Sequence, residues 1–129
     1  MKSTQFKLPE GDNLSKFFYE LPPNLKDTCP VIYALEIIGQ KWKIPILWHL
    51  ATEGALHYGE LKRNVFGITN IMLTKSLREL EKDGLINREV IEKNPPRVKY
   101  SLTADGKSLV PILKAVEAWG KSQMTSKLI

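Results

Sequence analysis

The stretch from Gly67 to Leu85 constrains this chain more than any other, because it carries its own start and stop signals for a helix. Thr69 suits the N-cap position, where its hydroxyl can accept from the free amides of Ile71 or Met72. Ile68 and Leu73 have the spacing of a hydrophobic staple. At the far end Gly84 supplies a left-handed residue just past the helix, and Leu85 can fold back onto Leu80. These signals predict a helix from Asn70 to about Asp83.

The two faces of that helix differ. At about 100° per residue, Thr69, Leu73, Ser76, Leu77 and Leu80 fall on one side, the expected core side. Ile71, Thr74, Lys75, Arg78 and Lys82 fall on the other. Lys75 can pair with Glu79 one turn on, whereas Arg78 and Lys82 are like charges at i,i+4 that an external anion would relieve. A cationic face alone is most often just solvated; its surroundings decide.

Upstream, Lys41 to Ala51 reads as a helix closed near Gly54, with Trp42, Ile46, Leu47 and Leu50 as core candidates and Pro45 tolerable only near its first turn. Ala55-Leu56-His57-Tyr58 can form a short strand leading into a two-turn helix over 59–65. Two short helices joined by Phe66-Gly67-Ile68, the second one cationic, make a helix-turn-helix pattern. After Gly84 the period changes to alternation: Ile86 and Val90 share a side, as do Val98, Tyr100 and Leu102. Lys93-Asn94-Pro95-Pro96 separates the two runs as a rigid turn, so a β-hairpin carrying Lys93 and Arg97 at its tip is expected. The fold class is therefore mainly α with a small β-hairpin, a winged helix-turn-helix. Its helix would enter the major groove while the hairpin reaches phosphates or the neighbouring minor groove.

Cys29-Pro30 opens another helix, proline preferring the first helical position. Val31, Ile32, Ala34, Leu35, Ile37 and Ile38 cover nearly its whole circumference, which requires cover on both sides. Thr103 is the expected N-cap of a last helix running to about Ser122 and kinked at Pro111, whose missing N–H leaves the Lys107 carbonyl unpaired. A partner subunit would cover Val31, Ile32, Leu35, Leu109, Ile112, Leu113, Val116 and Trp119; alternatively the two terminal helices cover each other within one subunit. The expected organisation is an arm over 1–28 that packs on this domain or on a second copy, a DNA-binding domain over 29–122, and a tail over 123–129. Within the arm, Leu14, Phe17, Phe18 and Leu21 allow a short amphipathic helix over 13–21.

With 129 residues, 43% of them hydrophobic, the chain can bury the core of one domain, and a net charge of +5 suits a polyanionic partner. No apolar run is long enough to span a bilayer, and Met1 to Lys7 lacks the features of a signal peptide. A single cysteine rules out an intrachain disulfide, so a cytoplasmic location is expected.

Taken together, these segments resemble the HxlR family of bacterial winged-helix regulators, relatives of the MarR type. The resemblance is carried by Cys29-Pro30-Val31, Ile38-Gly39, Lys41-Trp42, Glu60-Leu61, Gly67-Ile68, Met72-Leu73-Thr74, Leu77-Arg78-Glu79-Leu80-Glu81 and Asp83-Gly84-Leu85-Ile86. It continues through Pro95-Pro96-Arg97-Val98, Tyr100-Ser101-Leu102-Thr103, Pro111 and Trp119-Gly120, and so spans Cys29 to Gly120 in order. It implies a cytoplasmic homodimeric transcription factor, such as a repressor, whose first and last helices build the dimer on a pseudo-palindromic operator. It carries the reading role onto Thr69, Asn70, Thr74, Lys75 and Arg78, and the wing role onto Arg97. Three positions depart: Ile71 replaces a usual lysine or arginine and could instead meet a thymine methyl, Thr69 replaces serine, and Lys99 replaces a common glutamate. Lys82 and Lys93 add charge to the same surface.

Cys29 falls at a helix N-terminus, a setting that in general favours the reactive thiolate. Several HxlR-type regulators use the cysteine at this position to sense oxidants or electrophiles, so the resemblance implies an oxidant or small-molecule inducer. With no second cysteine, an intersubunit disulfide or a mixed adduct would follow; the other reading is a buried, inert thiol. His49 and His57 lie apart with no partner motif, so neither a metal site nor a cofactor is expected. No GxGxxG, GxxxxGK[ST] or GxSxG occurs, and an enzyme is not expected. A winged helix serving as a protein-interaction module, without duplex binding, is the alternative function.

Overall fold

Several helices begin where the chain offers a proline or a capping side chain, and several end where it offers a glycine. A computed structural model describes residues 29–128, so the expected arm over 1–28, with its helix over 13–21, lies outside the described residues. In order come α1 (Pro30–Ile38), α2 (Lys43–Glu53), β1 (Leu56–His57), α3 (Tyr58–Asn64), α4 (Asn70–Lys82), β2 (Ile86–Lys93), β3 (Pro96–Leu102), α5 (Ala104–Lys107) and α6 (Val110–Lys127).

The signals around α4 act as expected. Thr69 Oγ1 accepts from the Met72 amide at 3.1 Å. Gly84 adopts φ +75°, a left-handed turn that costs a residue with a Cβ dearly. The paired bonds Leu85 N to Leu80 O, 2.9 Å, and Gly84 N to Glu81 O, 3.0 Å, close the helix as a Schellman motif. Leu73, Ser76, Leu77 and Leu80 are buried on the inner face. Thr69, placed on that face by periodicity, is exposed, because its hydroxyl turns outward to cap.

The core lies where α2, α3 and α4 meet the sheet. Ile46, Leu47 and Leu50 of α2 pack with Leu61, Leu73, Leu77, Leu80, Ile86, Tyr100, Leu102 and Leu113. Each such aliphatic side chain contributes about 1.5–3 kcal/mol relative to exposure. The sheet is three-stranded and antiparallel, in the order β1-β3-β2. The hairpin pairs Ile86 with Leu102 and Lys93 with Pro96, with an irregularity between Val90 and Glu92. Pro96, as the first residue of its strand, removes no bond from the middle of the ladder. The short strand β1 joins the other edge of β3, pairing Leu56 with Tyr100 and His57 with Lys99. This is a winged helix-turn-helix.

Two expectations change at the C-terminal end. Pro111 does not kink one helix; the chain breaks into α5 and α6, with Pro111 in the first turn of α6, where a missing N–H costs nothing. Thr103 caps α5 through Gly106 N at 3.0 Å and also donates to Gly84 O at 2.6 Å. That pulls α5 onto the start of β2, so closely that a methyl at Gly106 would collide with the Leu85 carbonyl. The helix also runs past Ser122 to Lys127, so most of the expected tail over 123–129 is helical.

The terminal helices do not cover each other's apolar faces. No residue of α1 is buried, and Val31, Ile32 and Leu35 are 66, 57 and 54% exposed. On α6, Ile112, Val116 and Trp119 are also exposed. Leu113, expected at a subunit interface, is instead 2% exposed inside the core, and Leu109 is half-buried against it. Among the described residues no helix is long and apolar enough to cross a membrane.

Candidate nucleic-acid interface

The outer face of α4 presents Asn70, Ile71, Lys75, Arg78 and Lys82 to solvent, with Thr69 at its start and Thr74 half-buried. The expected Lys75–Glu79 pair is not what forms. Glu79 Oε1 lies 2.9 Å from Nζ of Lys43, a lysine only 2% exposed at the start of α2. The same ammonium donates to the Ile37 carbonyl at 3.1 Å. The hydrogen bond from Lys43 is the largest influence holding the Glu79 carboxyl below its ordinary pKa, with the charges of Lys43, Lys75 and Lys82 acting in the same direction against burial. Glu79 is thereby turned toward the body. Among the described residues, no carboxylate pairs with Lys75, Arg78 or Lys82.

A second side chain that the sequence did not single out orders the start of α4. The Tyr58 hydroxyl lies 3.2 Å from both the backbone oxygen and Oδ1 of Asn70. It lies 3.1 Å from Thr74 Oγ1 as well. One hydroxyl proton serves Asn70, and Thr74 can donate to the phenol oxygen. With Oδ1 accepting from Tyr58, the Asn70 amide nitrogen keeps its two donors for an outside acceptor.

The wing carries Lys93, exposed, and Arg97, which is tied down at both ends of its guanidinium. Nη1 lies 3.3 Å from Glu92 Oε1 and Nη2 3.2 Å from His57 Nε2. His57 reaches the wing because β1 pairs with β3, a contact with no local signature in the sequence. His49 bonds Glu53 at 2.8 Å, and Asn64 donates to the same carboxylate, joining α2 to α3. Among the described residues no group of three or more His, Cys, Asp or Glu could hold a metal ion. Cys29 is exposed at the N-cap of α1, so the buried reading of this thiol does not hold.

Lys43 and Tyr58 escaped the sequence reading for different reasons. A lysine between Trp42 and Ile44 looks like any solvated cation until its partner is placed. Tyr58 shows only an aromatic at a helix start, and the groups its hydroxyl meets are 12 and 16 residues away.

Comparison with known proteins agrees with this geometry. The model for the HxlR-like helix-turn-helix family matches residues 37–128. An HTH-type transcriptional regulator of Methanothermobacter thermautotrophicus is 52% identical over 93 residues, 72% of this chain and 70% of that protein. The HTH-type transcriptional regulator YybR of Bacillus subtilis (strain 168) is 45% identical over 100 residues, 78% of either chain. Among solved structures, the redox regulator HypR in its oxidised form superposes with a TM-score of 0.68 at 45% identity, over 73% of this chain and 96% of that one. The chain belongs to the HxlR-like helix-turn-helix family.

Proposed function

We propose that this chain is a sequence-specific DNA-binding transcriptional regulator, acting as a cytoplasmic homodimer on a pseudo-palindromic operator. The observation that carries the reading is the outer face of α4, where Lys75, Arg78 and Lys82 stand exposed while the neighbouring carboxylate of Glu79 is drawn away to Lys43. Asn70, Ile71, Thr74 and Arg78 then read base edges, Ile71 through a thymine methyl, while Lys75 and Lys82 meet the backbone. Lys93 and Arg97 on the wing meet the backbone or the adjacent minor groove. In a dimer built on Val31, Ile32 and Leu35 of α1 with Ile112, Val116 and Trp119 of α6, the two α4 helices address half-sites about 34–36 Å apart.

Selection of bound duplexes from a random pool, followed by affinity measurements over a salt series, tests this. A DNA reader loses affinity steeply with salt, in proportion to the phosphates it neutralises. Arg78→Ala should weaken the selected duplex by about 1–3 kcal/mol and relax its specificity. A protein-interaction module would bind no duplex at all.

A redox response is a second, separable part of the reading. Its support is the exposed thiol of Cys29 beside the exposed apolar face of α1, together with the similarity to a redox regulator. Oxidation would yield an intersubunit disulfide or a mixed adduct. Operator affinity that is unchanged after a thiol reagent blocks Cys29 would remove it.

A further inference from the structure

Between α3 and the wing lies an open cleft of about 470 Å³, lined by His57, Tyr58, Gly59, Glu60, Arg63 and Arg97 among others. Two guanidinium groups line it. Arg63 turns back along its own helix, so that a methyl at Gly59 would lie 3.6 Å from Arg63 Nη1. Arg97 enters from β3, held by His57 and Glu92.

The hydrogen bonds define what each group does there. His57 Nδ1 lies 3.4 Å from the Val98 carbonyl, which can only accept, so Nδ1 carries the proton and Nε2 accepts from Arg97. The histidine therefore orients the guanidinium through Nε2. Glu60 is occupied, accepting the His57 amide at 2.9 Å. Glu92, half exposed, places a carboxylate oxygen on Arg97 Nη1. Lys99, paired with His57 across the sheet, adds a further cation nearby.

We propose that this cleft binds one phosphodiester of the DNA backbone. Arg63 and Arg97 supply the positive charge, His57 positions Arg97, and Glu92 is the resident anion that the phosphate displaces. The inference deepens the DNA-binding reading above and rests on it. Exposed ion pairs are weak, so Glu92 gives way easily, whereas a guanidinium can offer a phosphate two parallel N–H bonds. The first helix of a helix-turn-helix crosses the backbone while the second lies in the groove, which carries the α3 side of the cleft to the phosphates.

Anisotropy titrations of the full chain test this, using a labelled duplex selected from a random pool and an unrelated duplex of equal length. Arg63→Ala should weaken both duplexes by the same factor and reduce the slope of log affinity against log salt by about 1. Glu92→Gln should tighten both several-fold, and the gain should vanish when Arg97→Ala is also present. His57→Leu should lose affinity that His57→Gln, whose amide oxygen can accept from Arg97, restores. A parent-like slope for Arg63→Ala, or no gain from Glu92→Gln, overturns the cleft while leaving DNA binding intact. A loss confined to the selected duplex means that Arg63 reads a base and also overturns it. A parent with no salt-dependent duplex binding overturns both.

Discussion

Lys43 and Glu79 form an ion pair of 2.9 Å between the start of α2 and the third turn of α4, with the ammonium 2% exposed and the carboxylate 31% exposed. It anchors α4 to the body. Removing the carboxylate leaves a buried charge with only the Ile37 carbonyl for company, which is costlier than removing both partners. Glu79→Ala should therefore lower stability by about 1–3 kcal/mol in urea titrations, and Lys43→Met added to it should recover part of the loss. If the double variant is less stable than Glu79→Ala alone, the pair is not what holds these helices together.

The same pair makes stability depend on pH with a definite sign. Hydrogen bonding from Lys43 first, then neighbouring positive charge, lowers the Glu79 pKa in the folded chain. A depressed folded pKa means that the stabilisation is present above the unfolded carboxylate pKa and is lost as pH falls through the folded one. The stability gap between the parent and Glu79→Gln should hold at neutral pH and narrow in acid below the ordinary carboxylate range. Denaturant titrations at a series of pH values measure it; a gap that widens in acid contradicts the assignment.

Tyr58 gives a prediction about discrimination. Its hydroxyl fixes both Asn70 and Thr74 while lying at the surface of the core, so Tyr58→Phe removes the hydrogen bonds and keeps the ring. Each such bond is worth about 0.5–1.5 kcal/mol, and here the loss falls on the orientation of Asn70 and Thr74, two of the side chains proposed above to read bases. The variant should lower the affinity ratio between a selected and an unrelated duplex more than it lowers affinity for the unrelated one. An unchanged ratio would mean that Asn70 and Thr74 are oriented without Tyr58.

What the sequence made legible was whatever is encoded locally. Thr69, Gly84 and Thr103 announce their caps within four residues, and the alternation around Val98 and Tyr100 announces a strand. The inward turn of Glu79 was not legible, because at i,i+4 from Lys75 it has a plausible local partner, and only the packing of α2 on α4 brings Lys43 closer. His57 and Arg97 are 40 residues apart and meet through β1–β3 pairing, which two residues of strand cannot advertise. Pro111 signals a disruption, but the expected kink is instead a break between α5 and α6, at a place where Gly106 packs against the Leu85 carbonyl, a distant contact with no local signature.

Neighbouring residues on α6 should separate folding from assembly. Leu113 is buried within the subunit, whereas Ile112, Val116 and Trp119 are exposed, Trp119 by 69%. Leu113→Ala should destabilise the fold by about 2–5 kcal/mol, whatever the concentration of protein. Trp119→Glu removes a large apolar surface and places a charge where a partner subunit would have to bury it, a cost met only on association. On the homodimer proposed above, it should leave the far-ultraviolet spectrum of a dilute sample unchanged while shifting sedimentation from dimer to monomer, and duplex affinity should fall as the proposed second half-site is lost. If Trp119→Glu and Val116→Glu both sediment as the parent does, α6 does not carry the subunit contact, and the exposed face of α1 with Val31, Ile32 and Leu35 must be tested in its place.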